Sequence, residues 1–256
     1  MKVLKLFGHL IIIIVLTVVT QVGGLIWLVS IIISSFKNWN KRYVFTIIYL
    51  IFNLILVPPV AAYFGREELP WFNENLEAKI IFYPLAFRNY VKPELKNLLF
   101  ESSKSSNIKI TYLDANFPFL DGFPLLPHLS HDDGEKIDLS FQYTNKDGSK
   151  TDKKPSFFGY GAYVKTKNVT SDNCLNKGYW QYDFTKYLNL GENNDLKFDS
   201  NSTRELITSL LNQSNTQKIF IKPYLKKSLR LENESKIRFH GCQAVRHDDH
   251  IHLQIK

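Results

Sequence analysis

The feature that most constrains this chain is an amino-terminal segment without a single acidic side chain. Residues 1–65 contain no Asp or Glu, and their five basic residues flank two apolar stretches. The first stretch, 10–36, has 27 consecutive uncharged residues, and the second, 43–65, has 23. A helix needs about 20 apolar residues to cross the hydrocarbon core of a bilayer. The sequence therefore predicts a membrane anchor of two transmembrane helices, at about 10–36 and 43–65, followed by a domain formed by residues 66–256.

Two alternatives remain for these apolar stretches. A helical hairpin buried in a soluble core is disfavoured by their length and by their lack of charge. A cleaved signal peptide is disfavoured because the apolar run is longer than an h-region and no A-x-A site closes it. Residues 21–24, Gln-Val-Gly-Gly, interrupt the first stretch, so the sequence leaves open whether 10–36 forms one long span or a broken one.

The basic residues predict the orientation of the anchor. With two spans, the amino terminus and the large domain lie on the same side of the membrane. The link at 37–42 holds three basic residues, and the positive-inside rule places it in the cytoplasm. Lys2 and Lys5 argue the other way, because this topology puts them on the domain side. The prediction is a multi-pass inner-membrane protein whose domain faces the periplasm or the cell exterior.

The net charge of +8 belongs mainly to the anchor. Five of the 32 Lys and Arg residues lie in 1–65, which leaves 27 against 24 Asp and Glu, a net of +3, in 66–256. Such a weak charge predicts no nucleic-acid partner. The two cysteines, Cys174 and Cys242, would tend to form a disulfide outside the cytoplasm, and two buried thiols are the alternative.

Short periodic runs predict an α+β domain with a mainly antiparallel sheet flanked by helices. Apolar residues at helical spacing indicate helices at 90–103 and from Ser202 onward. Six runs read as strands: 108–113, 137–143, 157–164, 218–221, 236–239 and 250–255. Because helices and strands do not alternate, a doubly wound parallel sheet is disfavoured.

Five of the seven histidines lie in two short stretches, PHLSHDDGEKID at 127–138 and RHDDHIH at 246–252. On a strand, residues two apart share a face, so His250 and His252 project together while Ile251 points to the other side. On a helix the two histidines would be about 200° apart and could not converge. Such a pair can hold one metal ion, or one histidine can bind it while its neighbour serves the metal's water.

The first stretch adds a histidine and a carboxylate. Gly134 supplies a turn after His131. In the run that follows, Ile137 and Leu139 face one way and Asp138 faces the other. A turn-borne histidine and a strand-borne aspartate can therefore meet the paired histidines of a neighbouring strand. Three N/O ligands with one open position are typical of catalytic zinc sites. A single histidine is more often solvated than metal-bound, but the joint pattern favours a metal site.

The two histidine motifs resemble those of a known group of enzymes. Residues 128–138 fit the pattern H-x-x-H-x-x-G-x-x-x-D, and residues 247–252 read H-x-x-H-x-H. Both are similar to motifs of the LAS zinc peptidases, a group that includes D-Ala-D-Ala peptidases, lysostaphin-type enzymes and the hedgehog signalling domain. The most similar branch is the penicillin-insensitive murein endopeptidases. The resemblance covers roughly 127–256, whereas the anchor has no counterpart in that branch.

The resemblance implies a fold, a cofactor and a reaction. It implies an LAS-like peptidase domain with a motif-bearing core at about 107–256. The implied Zn²⁺ ligands are His131, Asp138 and His252. The implied catalytic residues are His250, as general base or oxyanion stabiliser, and His128 and His247, at the rim, orienting water or substrate. The implied reaction is hydrolysis, by a metal-activated water, of an amide bond in peptidoglycan peptides, at the D-Ala–diaminopimelate cross-link or a nearby bond.

Three other functions fit the same residues. The chain could be a non-catalytic zinc-containing binding module at the membrane surface. It could be a carboxypeptidase or amidase that trims free stem peptides. It could also be a membrane protein whose histidines cluster incidentally. The sequence leaves the oligomeric state open.

Overall fold

The computed structural model describes residues 2–165 and 174–256, and in it the apolar amino-terminal segment folds into three consecutive antiparallel helical stretches. The helical segments are α1 (Lys2–Thr20), α2 (Gly23–Lys37), α3 (Lys41–Ile51), a π-helical turn (Phe52–Leu56) and α4 (Val57–Tyr63). In the described part of the chain, two helices are long and apolar enough to cross a bilayer, Val3–Thr20 and the continuous Lys41–Tyr63. The apolar helix between them, α2, has only 15 residues.

The first apolar stretch is broken at Gln21, whose φ of +65° lies in the left-handed region. A Cβ placed on Gly24 would lie 2.6 Å from the carbonyl oxygen of Ile13. In one continuous helix, these two residues would be about 16 Å apart along the axis. The second helix therefore folds back along the first, and the glycines permit the close approach. The region predicted as 10–36 thus begins at Lys2 and consists of two helices.

This fold-back changes which ends of the helices share a side. The start of α2 packs with the end of α4, because Val22 and Ile26 share an apolar cluster with Val57 and Ala61. At the opposite end, Lys41 Nζ lies 3.4 Å from His9 Nε2. The predicted topology placed the amino terminus on the side of the domain, whereas the packing of the helices puts the start of α1 beside the basic link, at the end of the bundle away from the domain.

Polar side chains join this helical bundle to the domain. Asn53, buried in the π-helical turn, donates to the carbonyl oxygens of Pro84 and Leu85 at 3.1 and 3.2 Å. The hydroxyl of Tyr49 donates to the same Leu85 oxygen at 2.6 Å. At the turn between α1 and α2, Gln21 Oε1 accepts the backbone N–H of Phe119 at 3.0 Å. The bundle and the domain are therefore attached by specific contacts as well as by the connecting chain.

The domain itself is mixed α and β. Its helices are α5 (Phe82–Leu85), α6 (Pro93–Ser106), α7 (Ser200–Asn212) and α8 (Pro223–Ser228). Its strands are β1 (Glu67–Glu68), β2 (Leu76–Ala78), β3 (Tyr90–Val91), β4 (Ile110–Tyr112), β5 (Lys136–Ser140), β6 (Tyr143–Asn145), β7 (Lys150–Thr151), β8 (Leu196–Phe198), β9 (Thr216–Phe220), β10 (Ile237–Arg238) and β11 (His250–Ile255).

The central sheet has six strands in the order β10-β9-β11-β5-β4-β2. The three inner pairings are antiparallel, and the two outer ones, β10 with β9 and β4 with β2, are parallel. Two small antiparallel sheets, β1-β3 and β7-β6-β8, complete the domain. The expected α+β class is confirmed at this level, with a mixed central sheet. The run at 157–164, predicted as a strand, contains none.

Helices α6 and α7 pack on one face of the central sheet. The apolar faces predicted for both helices are buried there, together with Ile137, Leu139 and Ile251 of the two central strands. Helix α7 begins two residues before the predicted Ser202, because Asp199 caps it by accepting the N–H groups of Asn201 and Ser202. The opposite face of β5 and β11 is left for polar side chains.

The expected disulfide between Cys174 and Cys242 is present, with the two Cα atoms 5.1 Å apart. It links the segment around the 3₁₀ turn Leu175–Lys177 to the loop that precedes β11. That loop carries His247, so the disulfide holds one wall of the site described next.

Candidate metal centre

Two neighbouring strands place a carboxylate directly opposite a histidine. In the antiparallel pairing of β5 with β11, Asp138 is the partner of His252, and Ser140 is the partner of His250. Because side chains alternate along a strand, Leu139 and Ile251 point into the apolar core and the polar residues point away from it. His252 Nδ1 lies 2.9 Å from Asp138 Oδ1. The predicted alternation of both strands is confirmed.

The third predicted ligand, His131, reaches the same atoms from the turn before β5. Gly134 has a φ of +81°, and its N–H donates to Asn116 Oδ1. His131 Nδ1 donates to the carbonyl oxygen of Ala115 at 2.8 Å, which leaves Nε2 as the ring's lone-pair nitrogen. That nitrogen lies 3.3 Å from Asp138 Oδ1 and 3.1 Å from His252 Nδ1.

The spacing of these three donor atoms suits one small cation. Their separations are 2.9, 3.1 and 3.3 Å, and all three side chains are buried. A tetrahedral ion with bonds of about 2.0–2.1 Å places its ligands about 3.3 Å apart. Two imidazole nitrogens and one carboxylate oxygen also form a donor set typical of zinc. The residues present therefore fit a divalent ion, although other divalent transition metals accept the same donors.

The second oxygen of Asp138 faces two further side chains. The Tyr160 hydroxyl donates to Oδ2 at 2.7 Å, and His128 Nδ1 lies 2.9 Å from the same oxygen. Tyr160 is held by Gly159 and Gly161, both with a φ near +80°, and a Cβ on Gly161 would lie 2.6 Å from a backbone oxygen of Thr185. These left-handed residues prevent the predicted strand. They also bring in Tyr160, which no spacing in the sequence connects to Asp138.

His128 lies deeper than the rim position expected for it. It is buried, and one of its ring nitrogens lies within 4.8 Å of ligand atoms of His131 and Asp138, so these three residues also form a group that could hold a metal ion. Behind it, the buried pair of Arg88 and Asp114 supports the ring, since Asp114 Oδ2 is 3.5 Å from His128 Nδ1.

His250 lies beside the three donors with one nitrogen free. Its Nδ1 donates to Asp249 Oδ1 at 2.5 Å, and Asp249 also accepts the N–H of Gly161 at 2.6 Å. Its Nε2 lies 3.6 Å from Asp138 Oδ1 and, within the described part of the chain, has no hydrogen-bond partner. A ring nitrogen in this position, facing the cavity beside Asp138, can exchange a proton with a group bound there.

Four other aspartates lie within the two histidine motifs, Asp132, Asp133, Asp248 and Asp249. Among the described residues, Asp249 alone of these four receives an imidazole N–H group. Asp248 accepts instead from Arg246 and from the hydroxyl of Tyr224. Asp132 and Asp133 lie near Lys136.

A cavity of about 230 Å³ opens over these groups. One wall is the segment 127–130 and another is the segment 243–247. His247 lines the cavity, with its ring centroid 5.0 Å from that of His250 and 5.4 Å from that of His252. His247, the last of the predicted site residues, therefore lines the same cavity as the others. The cavity leaves room for a substrate group beside Asp138.

The charges of these buried groups depend on one another. Burial raises the pKa of Asp138, but the neighbouring imidazoles, His250 first, outweigh burial and hold that pKa well below its usual range. Burial lowers the pKa of His252 to about 3, because it outweighs the attraction of Asp138. The pKa of His128 is raised to about 9, since Asp138 and Asp114 outweigh burial. At neutral pH the site therefore presents an anionic Asp138 and a neutral His252, the forms in which both groups bind metals.

Comparison with known proteins adds no family to this description. The chain matches no protein-family model and no curated protein.

Proposed function

We propose that this chain is a membrane-anchored, zinc-dependent peptidase that hydrolyses amide bonds in the peptides of peptidoglycan. The observation that carries the proposal is the convergence of His131 Nε2, Asp138 Oδ1 and His252 Nδ1 within 3.3 Å of one another beside a cavity. The order and spacing of the motifs, which resemble those of murein endopeptidases of the LAS group, supply the substrate class.

The chain's own residues divide the work of hydrolysis. The proposed ligands of Zn²⁺ are His131, Asp138 and His252. When bound, the ion would lower the pKa of water and polarise the scissile carbonyl. Tyr160 and His128 bind Asp138 Oδ2 and so keep Oδ1 turned toward the two ligand histidines.

His250 is placed to move the proton. When the His250 ring is neutral, Asp249 holds the Nδ1 proton, so the lone pair of Nε2 is directed into the site and can accept a proton from water. The protonated ring can then donate to the leaving amine. His247, on the cavity wall, is placed to orient the substrate.

The helical bundle supports the proposed location. Lys5, Lys37 and Lys41 lie at the end of the bundle away from the domain, so the positive-inside rule directs that end to the cytoplasm and the domain to the outside. The amino-terminal lysines, which opposed this orientation in a two-span topology, agree with it once α2 folds back. The Cys174–Cys242 disulfide also fits an oxidising compartment.

The test is to purify full-length protein in detergent and measure its zinc content and its hydrolysis of purified peptidoglycan. His131→Ala and Asp138→Ala should each lose both zinc and hydrolysis while still inserting into membranes. Asp132→Ala is the matched control, because it removes a carboxylate from the loop that carries His131. The Asp132 carboxylate lies 3.7 Å from Lys136 and is not one of the three proposed ligands. Full activity in His131→Ala or Asp138→Ala would contradict the proposal. Product masses distinguish cleavage of a cross-link from trimming of free stem peptides.

A further inference from the structure

An apolar loop runs from the helical bundle to the candidate metal centre. We name residues 117–130 the rim loop; its sequence, FPFLDGFPLLPHLS, contains a single acidic residue and no lysine or arginine. Three of its leucines are substantially exposed, Leu120 by 61%, Leu126 by 47% and Leu129 by 50%. Exposed large apolar side chains grouped in this way along one loop are typical of contact surfaces.

One end of the rim loop is fastened to the bundle. Gln21 accepts the N–H of Phe119, and the Phe119 ring packs edge-on against Phe64, just beyond α4, with centroids 5.3 Å apart. Arg66 donates to the carbonyl oxygen of Phe117 and to the carboxylate of Asp121. The loop's one charge is therefore neutralised by a residue at the end of the bundle.

The other end of the rim loop is part of the site. Residues 127–130 line the cavity, and Leu129 is both exposed and a lining residue. Arg66 also donates to the carbonyl oxygen of Asp132 at 3.1 Å, and Asp132 is the direct neighbour of His131. Because adjacent Cα atoms are about 3.8 Å apart, the backbone of His131 lies next to the group that Arg66 binds. The Arg66 side chain therefore connects the end of the bundle to the candidate metal centre. The candidate metal centre therefore lies close to the membrane surface into which the bundle would insert.

We propose that the rim loop rests on the lipid surface and that the site hydrolyses peptides carried on membrane lipids in preference to peptides free in solution. The apolar rim continues the exposed side chains of Tyr63 and Phe64 at the bundle's end, and aromatic residues of this kind favour the membrane interface. A lipid surface is favoured over a protein partner because the rim is continuous with helices apolar enough to enter lipid. The chemistry at the site rests on the proposed function; the contact with lipid does not.

Contact with lipid can be measured without any enzymatic activity. Leu120→Cys, labelled with an environment-sensitive fluorophore in full-length protein, is reconstituted into phosphatidylcholine vesicles that contain spin-labelled phosphatidylcholine. The matched control is Thr208→Cys on α7, which packs on the sheet face opposite the metal centre. The label at 120 should be quenched and the label at 208 should not. Equal quenching at both positions, no quenching at 120, or burial of 120 in a dimer detected by cross-linking would overturn the proposal.

The substrate class is tested with one stem peptide presented in three forms: free, joined to a lipid by a short linker, and joined to a lipid by a long polymer linker. The reconstituted protein should hydrolyse the short-linker form at least as fast as the long-linker form. The double variant Leu120→Glu/Leu126→Glu should lose about tenfold on the short-linker form, because charges next to lipid are unfavourable, and keep its rate on free peptide. The control Thr208→Glu should change neither rate.

The two proposals fail differently in this experiment. Cleavage of free and long-linker peptide, with none of the short-linker form, would refute the lipid-bound substrate and leave the peptidase proposal intact. No cleavage of any form by zinc-loaded protein would refute the peptidase proposal, and the lipid-carried substrate with it.

Discussion

The two faces of strands β5 and β11 have the same backbone and opposite chemistry. On one face, Leu139 and Ile251 are fully buried among the apolar residues of α6 and α7. On the other, Asp138, His250 and His252 are equally buried but among polar and ionisable groups. Burial alone therefore does not distinguish core from site. The difference lies in what surrounds each side chain. The first face makes apolar contacts, and the second forms a charge network in which, among the described residues, His250 Nε2 has no hydrogen-bond partner. The predictions below test this separation of stability from chemistry, in order of decreasing effect.

The largest effect is expected for His250→Ala, on the polar face. The variant should keep zinc and lose about 10²–10⁴-fold in the rate of hydrolysis, which is the range contributed by a general base. Zinc content and turnover on purified peptidoglycan are measured on the same preparation. Loss of the metal instead would reassign His250 as a ligand, and an unchanged rate would remove it from the mechanism.

On the apolar face, Ile251→Ala should lower the free energy of unfolding by about 2–5 kcal/mol, because it leaves a cavity in the core. Denaturant unfolding of the full-length protein in detergent measures this loss. The folded fraction should still bind one zinc ion. Gln254→Ala, on the polar face of the same strand, is the control and should cost about 0.5 kcal/mol or less. Loss of zinc by folded Ile251→Ala would show that the two faces are coupled.

Removal of the metal ion proposed to bind the polar face should lower the free energy of unfolding. Zinc at 100 times its dissociation constant stabilises a folded protein by about 2.7 kcal/mol. Chelation should therefore lower the unfolding midpoint of the wild type and leave that of His131→Ala unchanged. An equal decrease in both proteins would place the stabilising metal somewhere other than beside His131.

The smallest effect is expected for Tyr160→Phe. Removing the hydroxyl that donates to Asp138 Oδ2 should weaken zinc binding by about 10–100-fold, the usual consequence of losing a hydrogen bond to a ligand. The aromatic ring remains, so the unfolding free energy of the metal-free protein should change little. Competition with a calibrated chelator measures the affinity. An unchanged affinity would show that Tyr160 serves packing only.

Local patterns in the sequence were sufficient for much of the site. The alternation in 137–141 and 250–255 predicted which side chains share a face, because a strand repeats every two residues whatever surrounds it. Gly134 predicted the turn that carries His131. The adjacency of β5 and β11 was suggested by the joint histidine pattern, and the structure aligns His252 with Asp138 in register.

Contacts between distant segments were not visible in any local pattern. Tyr160 reaches Asp138 only because two left-handed glycines bend a run that otherwise reads as a strand. Asp249 binds His250, whereas the adjacent Asp248 accepts from Arg246 and Tyr224, and no local pattern distinguishes the two aspartates. The sequence showed the interruption at 21–24 but not its consequence, because the same residues can begin either a kink in one helix or a reversal between two helices.

The amino-acid sequence established the class of the domain, the apolar character of the amino-terminal segment and the three donors that could meet. These follow from periodicity, composition and the spacing of the motifs, which are properties of the chain alone. The depth of His128, the return of α2 and the attachment of the rim loop to Arg66 depended on the folded molecule. Each of them is set by packing between segments tens of residues apart, where small differences in contact energy select one arrangement from several that the local sequence permits.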